Sequence, residues 1–218
     1  MNLQLTHLHP AFDRLQKQHG ADGLCSIYGA GCVNQPRVCM VFMNPTGKNP
    51  TCMPSWRGLR APWIGTKNTW KLFHAIGIIS NKTLAAVLSK KTADWDIEFA
   101  ESVYRELAGN GVYITNLGKC TQTDARHLND KVFAEYLELL EKEISEIQPG
   151  IIITFGNQVS SIFLGQSVAV SSVRKKFFMK KSMGREYKTY PVFYPVGNGF
   201  RNTNKAIEDI KFILKNAK

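Results

Sequence analysis

Residues 112–157 read VYITNLGKCTQTDARHLNDKVFAEYLELLEKEISEIQPGIIITFGN, and the order of patterns inside this stretch decides the fold. Val112 to Thr115 is a short β-branched run after a glycine, as a buried strand tends to be. Val132, Phe133, Tyr136, Leu137, Leu140, Ile144 and Ile147 then recur at spacings of three, four and seven, which predicts a helix with one buried stripe. Asn129 or Asp130 can cap its start, and Pro149 follows its end. Ile151 to Phe155 reads as a second buried strand. Strand, helix, strand in this order implies parallel pairing through a right-handed crossover, because a parallel partner needs a dozen or more residues to return.

The same alternation extends outward. Val38 to Met43 and Tyr190 to Tyr194 supply two further strands, so the four strands run 38–43, 112–115, 151–155 and 190–194. Phe99, Val103 and Leu107 mark a helix closed by Gly109, and Ile207, Ile210 and Leu214 mark the last one. The expected architecture is α/β: a three-layer α/β/α sandwich around a mainly parallel four-stranded sheet. No repeat or Pro/Ser/Gly-rich linker divides the sequence, so one domain over residues 1–218 is expected.

Composition narrows the function classes. With 44% hydrophobic and 21% charged residues, the chain of 218 falls outside the disordered, collagenous and low-complexity classes. Its 28 Lys and Arg against 17 Asp and Glu leave +11, a field that favours polyanions, nucleic acid or an anionic membrane. No apolar run reaches the roughly 20 residues that span a bilayer, and Met1 to Gly20 is polar. A cytoplasmic protein without a membrane partner is therefore expected. Cys25, Cys32, Cys39, Cys52 and Cys120 are odd in number and form no CxxC pair, so reduced thiols are expected.

In such sheets ligands bind beyond the carboxyl ends of the strands. Those ends read Asn44-Pro45-Thr46-Gly47-Lys48, Asn116-Leu117-Gly118-Lys119-Cys120, Gly156-Asn157 and Pro195-Val196-Gly197-Asn198-Gly199-Phe200-Arg201. Each puts glycine beside amide or basic side chains, which suits an uncharged heterocycle near a phosphate chain; taken singly, each is also an ordinary turn. Thr46-Gly47-Lys48 is not a phosphate loop, since Phe42 stands where its first glycine is needed.

The segments Val41 to Gly47, Val112 to Cys120, Pro149 to Gly156 and Tyr194-Pro195 resemble, in order and spacing, the uracil-DNA glycosylase superfamily. The likeness covers most of the chain. Asn44-Pro45 is similar to the Asn-Pro first motif of the mismatch-specific and single-strand-selective branches, and the second strand with its helix resembles the iron-sulfur branch. The resemblance implies that Asn44 holds the attacking water, that Asn116 reads the uracil edge, and that Trp63, between Pro62 and a Gly-containing turn, stacks on the flipped base. Pro45, Thr46 and Gly47 would border that base. Tyr194 stands where the family has histidine, so it would replace the usual donor to the leaving base, or else point into the core.

The resemblance further implies that Gly197, Asn198, Gly199, Phe200 and Arg201 form the loop that fills the gap left by an extruded nucleotide, with Lys205 on phosphate. Phe200 could instead cover the first turn of the last helix. Lys175, Lys176, Lys180 and Lys181, interleaved with Phe177 and Phe178, read as a DNA-facing basic arm, with a solvated surface hairpin as the alternative. Cys25 and Cys120 fall near two cluster ligands of the family and Cys32 is a poor third, but Phe133 and Ala134 stand where a fourth cysteine belongs. No iron-sulfur cofactor is expected. The function expected is a monomeric, metal-free DNA glycosylase acting on uracil or a related deaminated base. The alternative is a non-catalytic nucleic-acid-binding module on the same scaffold.

Overall fold

The computed structural model describes residues 3–125 and 128–216. Six strands form one sheet: β1 (Ala30–Gly31), β2 (Val38–Phe42), β3 (Val112–Asn116), β4 (Ile151–Phe155), β5 (Phe178–Ser182) and β6 (Arg185–Val192). Their order across the sheet is β1-β3-β2-β4-β6-β5. The inner four are parallel; three match the strands read from the sequence within a residue, while the fourth, expected at 190–194, begins at Arg185 and ends at Val192, and β1 and β5 add antiparallel edges. The expected four-stranded sheet is thus corrected to a mixed one of six. The edges escaped because β1 has only two residues and β5 is a Lys-containing run, FMKKS, without apolar alternation.

The seven helices are α1 (His9–His19), α2 (Asn68–Ala75), α3 (Asn81–Ser89), α4 (Ile97–Gly109), α5 (Asp130–Ile147), α6 (Asn157–Leu164) and α7 (Thr203–Asn216) among the described residues. Asn129 caps α5, its side chain accepting from the Lys131 amide, and Asp96 caps α4 in the same way at Phe99. Strand alternation sends Val38, Met40 and Phe42 to one face of the sheet and Cys39 and Val41 to the other. The first face packs against α2, α3, α4 and α7, the second against α1, α5 and α6. Three layers result, with a core on each side of the sheet.

Strand β2 lies between β3 and β4, and the chain leaves it toward β3 before α5 carries it back across to β4. That reversal opens a crevice at the carboxyl ends of β2, β3 and β4. Among the described residues no helix is long and apolar enough to cross a membrane.

Candidate active-site cleft at the strand ends

The first two loops are tied together before any side chain is considered. Phe42 pairs with Asn116, the Leu117 amide donates to the Phe42 carbonyl at 2.7 Å, and the Gly118 amide to Met43 at 2.9 Å. Thr46 and Gln122 extend the pairing, with the Gly47 amide donating to Gln122 at 2.7 Å. Gly118 is small because space demands it: a Cβ there would stand 2.9 Å from Phe133 and 3.6 Å from the Asn44 Cβ. Asn44 and Asn116 are buried at this junction, 7% and 2% exposed.

A cleft of about 30 Å³ opens beside them, lined by Pro45, Thr46, Asn49, Trp63, Thr66 and Asn116, with Pro62. Gly47 does not line it; a Cβ there would meet Thr123 and Leu24 instead. Asn49 joins the two walls, donating to the Ala61 carbonyl at 2.7 Å while accepting from the Thr51 amide and hydroxyl. Its amide is satisfied, so its role is to hold the wall.

Three polar atoms here have no hydrogen-bond partner among the described residues: Asn44 Oδ1, Asn116 Nδ2 and Trp63 Nε1. The Asn44 amide is oriented by its Nδ2, which donates to the Pro45 carbonyl at 3.2 Å and leaves the oxygen free. Leaving a buried polar group unmade costs about 1–3 kcal/mol each. The two donors belong to residues that line the cleft, while Asn44, which does not line it, holds its acceptor on the loop paired to that of Asn116.

Trp63 has a φ of 68°, a left-handed backbone that a bulky residue rarely adopts. It is held there by its carbonyl, which accepts from Trp70 Nε1 at 3.0 Å, Thr66 Oγ1 at 2.7 Å and the Thr66 amide at 3.1 Å. The Tyr104 hydroxyl donates to the neighbouring Pro62 carbonyl. Such strain, about 1–3 kcal/mol, persists only where surrounding contacts enforce it. The ring meets the edge of Phe42 at 5.0 Å. Trp70 is wholly buried, a core residue, and Trp56 is half-buried. We expect Trp63→Gly to be more stable than Trp63→Ala by about 1 kcal/mol in urea unfolding, the reverse of the usual order, because glycine alone adopts this φ freely.

Tyr194 lies two residues beyond β6, since that strand ends at Val192. Its ring meets Phe42 edge-on at 6.3 Å, but it does not line the cleft. Burial alone pushes its phenol well above the usual tyrosine value, so it carries its proton at every physiological pH. Gly199 is forced by the Tyr194 carbonyl, which a Cβ would meet at 2.0 Å. Phe200, at 65%, is the most exposed of the large hydrophobic residues, on a short 3-10 turn (Gly197–Asn202) that leads into α7. Arg201 and Lys205 are exposed on the same approach; Gly197 is exposed too, and the Asn198 side chain lies outside what the structure describes.

The basic arm is corrected by the sheet. Lys180 and Lys181 sit on β5 opposite Tyr187 and Glu186, and Lys188 is level with Ile151, the first residue of β4. The hairpin therefore projects toward the amino ends of the parallel strands, away from the cleft, and Lys180 is engaged by Glu141 at 2.6 Å. Lys175 is paired with Glu208, and Arg174 with Glu208 and the buried Asp209, so these cations pin the segment to α7. Lys176 is exposed. Of the two expectations, a DNA-facing arm or a surface hairpin, Lys180 and Lys181 follow the second: β5 and β6 turn back on each other at the sheet edge.

Sequence reading also missed the support beneath Asn116. Lys119 is 0% exposed, with its Nζ donating to the Asn116 carbonyl at 2.7 Å and to Thr115 Oγ1, and lying 2.7 Å from Glu143 Oε2. Glu143 Oε1 accepts from the Tyr113 hydroxyl at 2.7 Å and from Thr115 at 2.8 Å. Burial pulls the Lys119 pKa down while Glu143 opposes the shift. The available signal was Glu143 itself, a carboxylate seven residues after Tyr136 on the buried stripe of α5.

The cysteines do not assemble a metal site. Cys39 is inside β2 and its thiol is pushed up by burial; Cys120 contacts Tyr136 and Gln122; Cys32 donates to the Asn34 carbonyl. Among the described residues no group of three or more His, Cys, Asp or Glu side chains could hold a metal ion. A four-thiolate cluster does not fit this arrangement.

Comparison with known families adds one finding. Residues 29–215 match the family model described as the Uracil DNA glycosylase superfamily, a span that includes both asparagine loops, the Trp63 segment and the turn bearing Phe200. With the match covering most of an α/β chain whose orphaned amides meet at the strand ends, this protein belongs to the uracil DNA glycosylase superfamily.

Proposed function

We propose that the protein is a DNA glycosylase that extrudes uracil, or a related deaminated base, and hydrolyses its N-glycosidic bond without a metal. The observation that carries this reading is the orphaned trio of Asn44 Oδ1, Asn116 Nδ2 and Trp63 Nε1. The Asn116 amide supplies a donor for the O4 side of uracil and an acceptor for its N3–H, the reverse of what cytosine requires. Asn44 Oδ1 is a neutral acceptor that can place a water for late attack on an oxocarbenium-like sugar. Tyr194 and the Gly197 amide offer donors to the charge that develops on the departing base, whereas the Gly199 amide already donates to the Val196 carbonyl at 3.0 Å.

As it stands the cleft holds about 30 Å³, close to one water's share of liquid volume and well below a pyrimidine. Base admission thus requires the Pro62–Thr66 wall to move away from Asn116, with Phe200 in position to occupy the gap left in the stack. That narrowness, with tyrosine in place of the family's histidine, favours as a second reading a nucleic-acid-binding module without turnover. The test is release of free uracil from labelled single-strand, U:A and U:G oligonucleotides, extended to hypoxanthine, xanthine and 5-modified uracils. Salt-sensitive binding without release of any base would establish the second reading.

The proposed groups also set a pH dependence. Neither amide titrates, and the Tyr194 phenol remains protonated above its ordinary value of 10. Single-turnover release is expected to vary little between about pH 6 and pH 9, whereas a histidine donor would impose an inflection near 6.5. An inflection in that window would remove Tyr194 from the mechanism.

A further inference from the structure

A cavity larger than the cleft lies elsewhere on the fold. It encloses about 620 Å³ beside edge strand β1, between that strand, α4 and the 56–60 segment. This lies within the roughly 300–1,000 Å³ range of small-molecule sites. One side is apolar and aromatic: Leu5, Val33, Leu59 and Trp56, with Tyr28 stacked on His9 at 3.6 Å and an interplanar angle of 3°. Burial pulls the His9 pKa below its ordinary value, so that stack is neutral at pH 7 and above.

The other side is cationic. Arg57, Arg60 and Arg105 face the cavity against the single carboxylate of Glu101. None of the three arginines forms an ion pair with a described residue, although Arg60 Nη2 donates to the Trp56 carbonyl at 3.5 Å. The wall is built rather than incidental: Trp56 Nε1 donates to the Leu59 carbonyl at 3.1 Å, and the Tyr28 amide donates to the Arg60 carbonyl at 3.0 Å. A monocarboxylate would be satisfied by one guanidinium fork. A phosphate monoester carries nearly two charges and three acceptor oxygens, which matches a cavity lined by three arginines, while a flat base suits the aromatic side.

We propose that this cavity binds a nucleoside 5′-monophosphate, with the base against the Tyr28–His9 stack and Trp56 and the phosphate on Arg57, Arg60 and Arg105. A free mononucleotide and the 5′-phosphorylated end of a nucleic-acid strand present the same chemistry. The site is separate from the cleft but joined to it, because Tyr104 lines the cavity and donates to the Pro62 carbonyl, and Arg60 precedes Trp63 by three residues. The inference stands apart from the glycosylase reading, and uracil release does not enter its test.

The experiment is calorimetric titration of the full chain with 2′-deoxyadenosine 5′-phosphate, with Asn44→Ala reporting any binding at the cleft. Binding at one site is expected, with 2′-deoxyadenosine and inorganic phosphate each weaker by about ten-fold or more. The Arg57→Ala/Arg105→Ala double variant, altered only at exposed side chains, is expected to melt like the parent and to bind about ten-fold or more weakly. Asn44→Ala is expected to bind as the parent does. A uracil-free oligonucleotide with and without a 5′-phosphate forms the second arm: a strong preference for the phosphorylated strand over the mononucleotide assigns the strand end, equal or weaker binding assigns the free nucleotide, and either supports the site. No mononucleotide binding, binding untouched by the double substitution, or binding lost in Asn44→Ala overturns it.

Discussion

Asn44→Ala is expected to slow single-turnover uracil release by about 10²–10⁴-fold, the range typical of losing a positioned proton acceptor. The same substitution should leave stability unchanged or slightly raised. Asn44 gives up one hydrogen bond, from Nδ2 to the Pro45 carbonyl, but its removal also deletes a buried oxygen that has no partner among the described residues. The two contributions, about 0.5–1.5 and 1–3 kcal/mol, act in opposite directions. A residue whose loss abolishes turnover while sparing the fold is held for function rather than packing. Release at the parental rate from Asn44→Ala, with a melting curve showing an intact fold, would falsify the role given to this amide.

The second large effect concerns stability. Lys119→Met leaves Glu143 inside the protein without its cation, and breaking a buried pair by removing one partner costs about 3–5 kcal/mol. At about 2–4 °C per kcal/mol for a chain of this size, the melting temperature should fall by about 6–20 °C. Adding Glu143→Leu should restore part of the loss, since no unpaired charge then remains, though Tyr113 and Thr115 lose their acceptor. Because Lys119 Nζ also fixes the Asn116 carbonyl, the single variant should weaken uracil recognition even at temperatures where it stays folded. Thermal unfolding of the two single variants and the double closes this cycle. A single-variant loss under about 1 kcal/mol would mean that the pair holds nothing in place.

The parallel core was legible because three of its four strands are buried on both faces. VCMVF, VYITN and IIITF are wholly buried, and a doubly buried strand shows itself as a continuous apolar run. The helix over residues 130–147 announced itself by a stripe of period near 3.6 and by its cap at Asn129. The site was legible in part for a related reason: strands that end in Asn-Pro-Thr-Gly and Asn-Leu-Gly place those residues at one edge as soon as the pairing is parallel. Edge strands carry no such mark. β5 faces solvent at Met179 and Lys181, so its lysines read as an arm when they belong to the sheet.

Local pattern alone thus determined the α/β class, the parallel direction of the central strands and the placing of two asparagine loops at their carboxyl ends, because those follow from burial period and chain direction. Long-range contacts decided the rest. That Trp63 is strained into place by Trp70 and Thr66, that Lys119 lies beneath Asn116 with Glu143, and that three arginines line one cavity beside β1 are outcomes of packing between segments remote in the chain. Hydrogen bonding and charge pairing act over a few ångströms in space, a distance on which sequence separation carries no information.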